Sequence, residues 1–293
     1  MSFNSKYQKI RNLAKDELST IEKKIVEAVS VREPINSDIV EFLLAPSKRI
    51  RSVLAILYTR ACGEILSEKQ LEFLAAVELV HNASLIHDDI IDESKFRRGV
   101  ETISCKFGNK LGVIAGDYLL SAAMEKIVNI GSIEIFSKFV HTLKQMCIGE
   151  INQNFDRFKI GTIDSYIEKS KNKTAYLFET ALVGCMFLAQ KQYDLSEIKE
   201  LGLNIGIAFQ IRDDIINLTN IDKSKPVNND IAEGIYNAPI IYSGSVEDYK
   251  SGIEKTRALL NNYIKRAMQQ VEKLPNNDYK TALKEFLELL NNE

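Results

Sequence analysis

The stretch SLIHDDIIDESKFRRG, Ser84 to Gly99, sets three aspartates and two arginines within eleven residues, directly after a run that reads as buried helix. Asp88 and Asp92 stand one helical turn apart with Asp89 beside them, so two carboxylates share a face. Like charges held together in a partly buried place raise each other's pKa unless a cation neutralises them. Oxygen ligands with no cysteine, and with His87 as an optional neighbour, suit a hard divalent ion such as Mg²⁺, which commonly also binds substrate phosphates. Arg97 and Arg98 follow at once, where guanidinium forks could hold diphosphate oxygens. Taken alone, such a string is equally well a solvated acidic helix end before a basic loop. A second cluster decides between the two. Gly206, Gln210, Asp213, Asp214 and Asn217, in GIAFQIRDDIINL, repeat the design of an apolar helix whose one polar stripe ends in an aspartate pair. Two such helices facing one another would hold a diphosphate through bridging magnesium ions.

The elements that must position these residues are helices. Only 5 prolines and 14 glycines interrupt 293 residues, and most long windows carry apolar residues at spacings of three and four. Helices are expected over about 3–30, 36–45, 48–62, 67–92, 103–109, 111–129, 132–158, 163–189, 195–219, 246–273 and 278–291, within a few residues at each end. Ser67 and Thr162 read as N-caps with carboxylates in the first turn. From Leu71 to Ile91 the chain is apolar nearly all round, and Glu78, His81, Ser84, Asp88 and Asp92 form one stripe. A helix greasy on its other faces is buried, so the stripe should look into an internal cavity. The polar segment from Asn220 to Asn237 is expected to be a loop over the site. An all-α, single-domain bundle over residues 1–293 with a central cavity is the simplest account.

With 38 basic and 40 acidic side chains the net charge is −2, which gives no bulk case for nucleic acid as a partner. The opening residues have no apolar core of signal-peptide length, and runs such as Ala181 to Ala189 are too short to span a bilayer, so a cytoplasmic location is expected. Cys62, Cys105, Cys147 and Cys185 are widely spaced and read as reduced core residues.

HDDIIDESKFRRG resembles the first aspartate-rich motif of the trans-isoprenyl diphosphate synthases, and FQIRDDIIN resembles the second. SKRIRS at 47–52, FGNKLGVIAGDYLLS at 107–121, GEINQ at 149–153, KTAYLF at 173–178 and the loop KPVNNDIAEGIYNAPII from Lys225 to Ile241 resemble further motifs of that family, so the likeness covers about 35–241. It is greatest to the long-chain heptaprenyl and octaprenyl types. The resemblance implies an isoprenoid-synthase helical bundle and Mg²⁺-dependent condensation of isopentenyl diphosphate with an allylic prenyl diphosphate. It implies that Asp88, Asp92 and Asp213 ligate magnesium, supported by Asp89 and Asp214. Arg97, Lys173 and Lys225 would contact the allylic diphosphate. Lys48, Arg51, His81 and Arg98 would bind isopentenyl diphosphate, and Gln210 and Thr174 would lie near the developing carbocation. A homodimer is the family's usual assembly. The alternatives are a catalytic subunit needing a small regulatory partner, or a noncatalytic prenyl-diphosphate binder, against which the intact aspartates argue. The lipid-like product allows transient membrane association.

The chain departs from the family pattern in places. Asn217 replaces the third aspartate of the second motif, and weaker metal affinity is expected from it. Pro46-Ser47 replaces a glycine pair, Asn228 and Asn229 replace a glycine of the closing loop, and Ile235 replaces its second lysine. One turn before Asp88, Ala83 and Ser84 are small where short-chain members carry a bulky floor, and Val80, Val77 and Ala76 are modest in size. A tail lying along that helix could then extend for two or three turns, giving products longer than twenty carbons, about thirty to forty, of the quinone side-chain type.

Overall fold

The computed structural model describes residues 3–219 and 229–291. In chain order the helices are α1 (Phe3–Asn12), α2 (Lys15–Glu27), α3 (Ile35–Leu44), α4 (Ile50–Ala61), α5 (Glu68–Ile91), α6 (Ile103–Phe107), α7 (Asn109–Ile130), α8 (Ile133–Phe155) and α9 (Ile163–Ser170). A π-helical turn, Lys171–Ala175, joins α9 to α10 (Tyr176–Phe187). Then come α11 (Leu195–Thr219), α12 (Asn229–Ala232), α13 (Ala238–Ser243), α14 (Lys250–Glu272) and α15 (Asp278–Asn291). The strands among the described residues are β1 (Phe96–Arg97) and β2 (Val100–Glu101), an antiparallel pair.

The bundle is organised around α5. Its start is fixed by a capping box, in which the Ser67 hydroxyl accepts from the Gln70 amide and the Gln70 side chain accepts from the Ser67 amide (2.8 Å). Thr162 and Ser165 form a second box at the start of α9. From Phe73 to Val80 the helix is buried on every side, enclosed by α2, α4, α7 and α10. Phe73, Leu74, Val77, Leu79 and Val80 each contribute about 1.5–3 kcal/mol on removal from water, so the aspartates beyond Ile86 sit on the end of a rigid axis. One apolar core runs from Tyr7 on α1 to Leu290 on α15.

Where the fold departs from the expected elements, tertiary packing is the reason. The single helix expected over 3–30 breaks at Leu13–Ala14, with no proline or glycine there. α1 instead turns to pack on α15, Tyr7 against Phe286 with ring centroids 6.1 Å apart, and Arg11 ties the corner to Glu22 at 3.5 Å. The hairpin at 96–101 was not expected. Its turn puts Arg98 (φ 54°) and Gly99 (φ 84°) both in the left-handed region, the requirement of a type I′ turn. Inside the expected loop, α12 adds one helical turn. α13 lies beyond that loop, with Pro239 in its first turn and Gly244 at its C-terminal cap (φ 70°). Two of the four cysteines are not core residues. Cys105 and Cys147 are exposed, because they fall on the outward faces of α6 and α8.

Candidate active site

Asp88 is half-buried, Asp89 buried and Asp92 exposed at the C-terminal end of α5. Burial pushes the Asp88 carboxyl up to about 6 against the opposing pull of Lys173, with Glu150 and Asp92 adding to the rise. Asp92 is raised in the same way, first by burial. The hairpin returns Arg97 to the helix end, where its Nε donates to Asp89. Lys173 stands between the two acidic groups, its ammonium 2.6 Å from Glu150.

The π turn that carries Lys173 and Thr174 is gripped from both sides by helices that approach at glycine. A Cβ on Gly149 of α8 would come within 3.0 Å of the Lys173 backbone nitrogen, and one on Gly206 of α11 within 2.4 Å of the Ala175 Cα. Gly206 therefore serves close packing rather than the polar stripe. The approach lets the Thr174 hydroxyl donate to the Gln210 carbonyl (2.6 Å), while the Gln210 amide donates to Asp214 (2.9 Å). Tyr166, itself buried, donates to the other Asp214 oxygen at 2.6 Å. Asp214 is thus enclosed behind Asp213, and burial pushes its carboxyl up to about 7.

Asp92 of α5 and Asp213 of α11 line one cleft of about 240 Å³, together with Lys173, Gln210, Asp230 and Glu233. Asp230 accepts hydrogen bonds from Asn217 and, at 2.8 Å, from Asn237, whose carbonyl accepts from Lys169. Glu233 lies near Asp92 and Arg157. Asp230, Glu233, Tyr166 and Glu150 were not assigned from the sequence. For the first two the signal was their spacing of three in an otherwise polar loop. Lys225, expected to contact a diphosphate, lies outside the described residues.

The donor set fits a hard cation. Among the described residues the metal-ligating side chains that line the cleft are oxygen donors, and Asp89 Oδ2 and Asn217 Oδ1 are buried with no hydrogen-bond partner among those residues. Among the described residues no three acidic, imidazole or thiol groups converge closely enough to hold an ion by themselves.

A basic cluster adjoins the acidic end of α5 through Arg97, which bonds Asp89 and lies near His81. His81 is surrounded by Arg51, Arg98, Arg49 and Arg97, and burial first, then those charges, hold its pKa well below the usual imidazole range. Arg98 reaches Asn82 at 3.4 Å, and the Arg51 guanidinium lies 4.7 Å from the centroid of the Phe178 ring. Lys48 is exposed at the start of α4, where the turn needs no glycine at 46–47. Arg49 adopts the left-handed conformation (φ 51°), its amide donates to Ser47, and its buried guanidinium binds Glu78 at 3.1 Å. Glu78 also accepts from Ser52 (2.7 Å). Glu78 is therefore a buried brace rather than part of a cavity-facing stripe, because a neighbouring arginine claims its charge. His87 turns away from the aspartates toward α7, within 3.4 Å of Asp117. Val80 and Ala83 are buried, and Ser84 is half-buried with its hydroxyl donated to the His81 carbonyl.

Comparison with known proteins fits this arrangement. Residues 33–280 match the model of the polyprenyl synthetase family. The chain belongs to the polyprenyl synthetase family. It is thereby a prenyltransferase. Similar members include the chloroplastic solanesyl diphosphate synthase 1 of Arabidopsis thaliana, 29% identical over 92% of this chain and 75% of that one. Heptaprenyl diphosphate synthase component 2 of Geobacillus stearothermophilus is 28% identical over 92% and 94%. The crystal structure of heptaprenyl diphosphate synthase from Staphylococcus aureus superposes with a TM-score of 0.88 at 24% identity, covering 95% of this chain and 98% of its own, and shares the fold.

Proposed function

We propose that this polyprenyl synthetase condenses isopentenyl diphosphate with an allylic prenyl diphosphate, giving an all-trans polyprenyl diphosphate longer than twenty carbons. The observation that carries this reading is the meeting of two charged clusters, an acidic one in which Asp92 and Asp213 line one cleft and a basic one around His81, joined at Arg97. Asp88, Asp92 and Asp213 would hold Mg²⁺, which when bound would supply electron withdrawal from the departing allylic diphosphate. Asp89 orients Arg97, and Asp214 supports Asp213 from behind. Arg97 and Lys173, joined by Lys225, take the diphosphate oxygens as the allylic carbon–oxygen bond breaks. Lys48, Arg51, His81 and Arg98 hold the isopentenyl diphosphate so that its double bond attacks the allylic carbon. Thr174 and Gln210 face the carbon where positive charge develops. The new bond leaves a tertiary cation, which loses a proton to the released diphosphate.

Long products are supported by the small side chains of Ala83, Ser84 and Val80 and by the similarity to solanesyl and heptaprenyl enzymes. A symmetric homodimer is supported by the exposed apolar side chains Leu111, Val113 and Ile114 on α7. No described helix is long and apolar enough to cross a membrane, and a cytoplasmic location is proposed on the ground that the diphosphate substrates are water-soluble. Similarity to a protein named as component 2 of its synthase favours a second reading, a catalytic subunit that needs a small partner. One experiment separates them. The purified chain is incubated with Mg²⁺, farnesyl diphosphate and radiolabelled isopentenyl diphosphate, and the dephosphorylated products are sized. Products beyond twenty carbons support the first reading, and no incorporation at all argues for the second.

A further inference from the structure

The motif GEINQ at 149–153 has no part in the reaction described above, yet it lies against the lysine of the π turn. Gly149 lets the backbones meet: a Cβ there would stand 3.0 Å from the Lys173 nitrogen and 3.1 Å from the Asn172 Cβ. The next residue, Glu150, then reaches the Lys173 side chain, and its Oε2 pairs with the ammonium at 2.6 Å. The other carboxylate oxygen is held too. The Gln153 amide, one turn further along α8 and buried, donates to Oε1 at 3.2 Å. Asp88 and Asp92 of α5 also attract the ammonium, and Lys169, one turn before it, repels it. Among the described residues, however, its ion pair is with Glu150 and with neither aspartate. Lysine carries its charge on a flexible four-carbon stem. With no anchor, this one would be drawn onto Asp88 and Asp92 and would compete there with a cation.

We infer that Glu150 is a positioning residue for the allylic diphosphate: steadied by Gln153, it anchors the Lys173 ammonium beside Asp88 and Asp92 rather than on them. One of the three ammonium donors is committed to Glu150, and two are left for diphosphate oxygens. The inference deepens the reading of Lys173 as an allylic-diphosphate contact and rests on it. It also gives the motif a division of labour. Gly149 supplies the close approach, Glu150 the anchor, and Gln153 the bond that fixes the anchor's rotamer.

The test is a double-mutant cycle of Glu150→Gln and Lys173→Gln, with Glu168→Gln as a control, an exposed glutamate 3.5 Å from Lys171 beside the same turn. Binding of farnesyl diphosphate is titrated calorimetrically with Mg²⁺ and without isopentenyl diphosphate, so that no condensation occurs, and KM for each substrate is then measured. Removing a carboxylate from the neighbourhood of a diphosphate would by itself tighten binding. A loss of affinity therefore reports lost positioning. Lys173→Gln should weaken binding about tenfold, the worth of one charge-assisted contact. Glu150→Gln should weaken it about threefold, and the double variant should bind no more weakly than Lys173→Gln alone, because Glu150 acts only through Lys173. The allylic KM should follow these changes while KM for isopentenyl diphosphate stays constant, and Glu168→Gln should match the wild type. If Glu150→Gln binds farnesyl diphosphate as tightly as the wild type or more tightly, the inference is wrong and the proposed function stands. It is equally wrong if the Glu150→Gln loss adds in full to that of Lys173→Gln, which would make Glu150 an independent part of the metal site. If Lys173→Gln binds as the wild type does, the role of Lys173 and this inference fall together. If the wild type itself neither binds farnesyl diphosphate nor extends it, the proposed function falls first.

Discussion

The acidic cleft and the basic cluster beside it keep their charges in different company. On the acidic side the cations are already paired, Lys173 with Glu150 at 2.6 Å and Arg97 with Asp89, yet carboxylates remain in excess and burial holds Asp88 near 6. In the basic cluster several cations lie against rings or a neutral amide. Arg51 lies over Phe178, Lys48 over Phe3, and Arg98 reaches Asn82, while Arg49 is buried with a carboxylate and braces Glu78. A ring holds a cation in place without cancelling its field. The same chemical group, a diphosphate, can therefore be bound in two ways: through metal where the protein is negative, and directly where it is positive.

The largest effect should come from removing the metal. EDTA is expected to abolish turnover, and added Mg²⁺ to restore it, while isopentenyl diphosphate still binds in EDTA. Calorimetry with each substrate in turn checks this, and equal loss of both affinities would break the distinction between the two clusters. Next in size, Asp88→Ala or Asp213→Ala should lower turnover at least about a hundredfold, as expected when stabilisation of developing charge is lost. Circular dichroism should be unchanged, because neither side chain supports the core. Full activity in either variant would remove the metal assignment.

In the basic cluster the effects should be smaller and confined to one substrate. Arg98→Gln is expected to raise KM for isopentenyl diphosphate about tenfold, the worth of one charge-assisted contact, and to leave the allylic KM alone. A smaller effect should follow Tyr166→Phe, which removes the 2.6 Å bond to Asp214. A loss of about 1 kcal/mol in stability, read from urea unfolding, is expected, with a higher Mg²⁺ concentration for half-maximal rate. An unchanged Mg²⁺ requirement would make Tyr166 a packing residue only.

How much of this could be read from residues alone follows the same division. The aspartates at spacings of one turn announce themselves, and so do the caps at Ser67 and Thr162, because their meaning is local. Glu78 shares the spacing of Asp88 and Asp92 and was read with them, but its role is set by Arg49, 29 positions away in sequence. The π turn at 171–175 depends on two glycines on other helices, Gly149 and Gly206, and no local pattern encodes it. Arg97 and Arg98 were legible as a pair of phosphate-binding candidates, but Arg98-Gly99 was not legible as a hairpin turn, since its left-handed arginine has no usual turn signature.

The effect least tied to rate concerns product length, and the structure alters how it should be tested. Ala83 is 3% exposed, while Ser84 keeps some surface. By helical spacing Ala83 shares a face with His87 and Ile90, the residues that press on α7 at Gly116 and Gly112, where an added Cβ would come within 2.2 and 2.9 Å of a side chain. The small residues at these positions bring α5 and α7 together, and a growing tail must run past them. Ala83→Phe is therefore expected to shorten the product to about fifteen or twenty carbons at a cost of about 1–3 kcal/mol, because the ring must be packed where the helices already touch. Ser84→Phe should shorten it with little loss of stability, since its side chain starts half in the open. An isoprene unit spans about 4–5 Å and a helical turn 5.4 Å, so each turn blocked removes about one unit. Chromatography of dephosphorylated products, with thermal unfolding of each variant, checks both. If the wild type stops at about fifteen carbons, or if both variants fold and leave product length unchanged, the tail does not follow this face of α5, and the assignments at the aspartates are untouched.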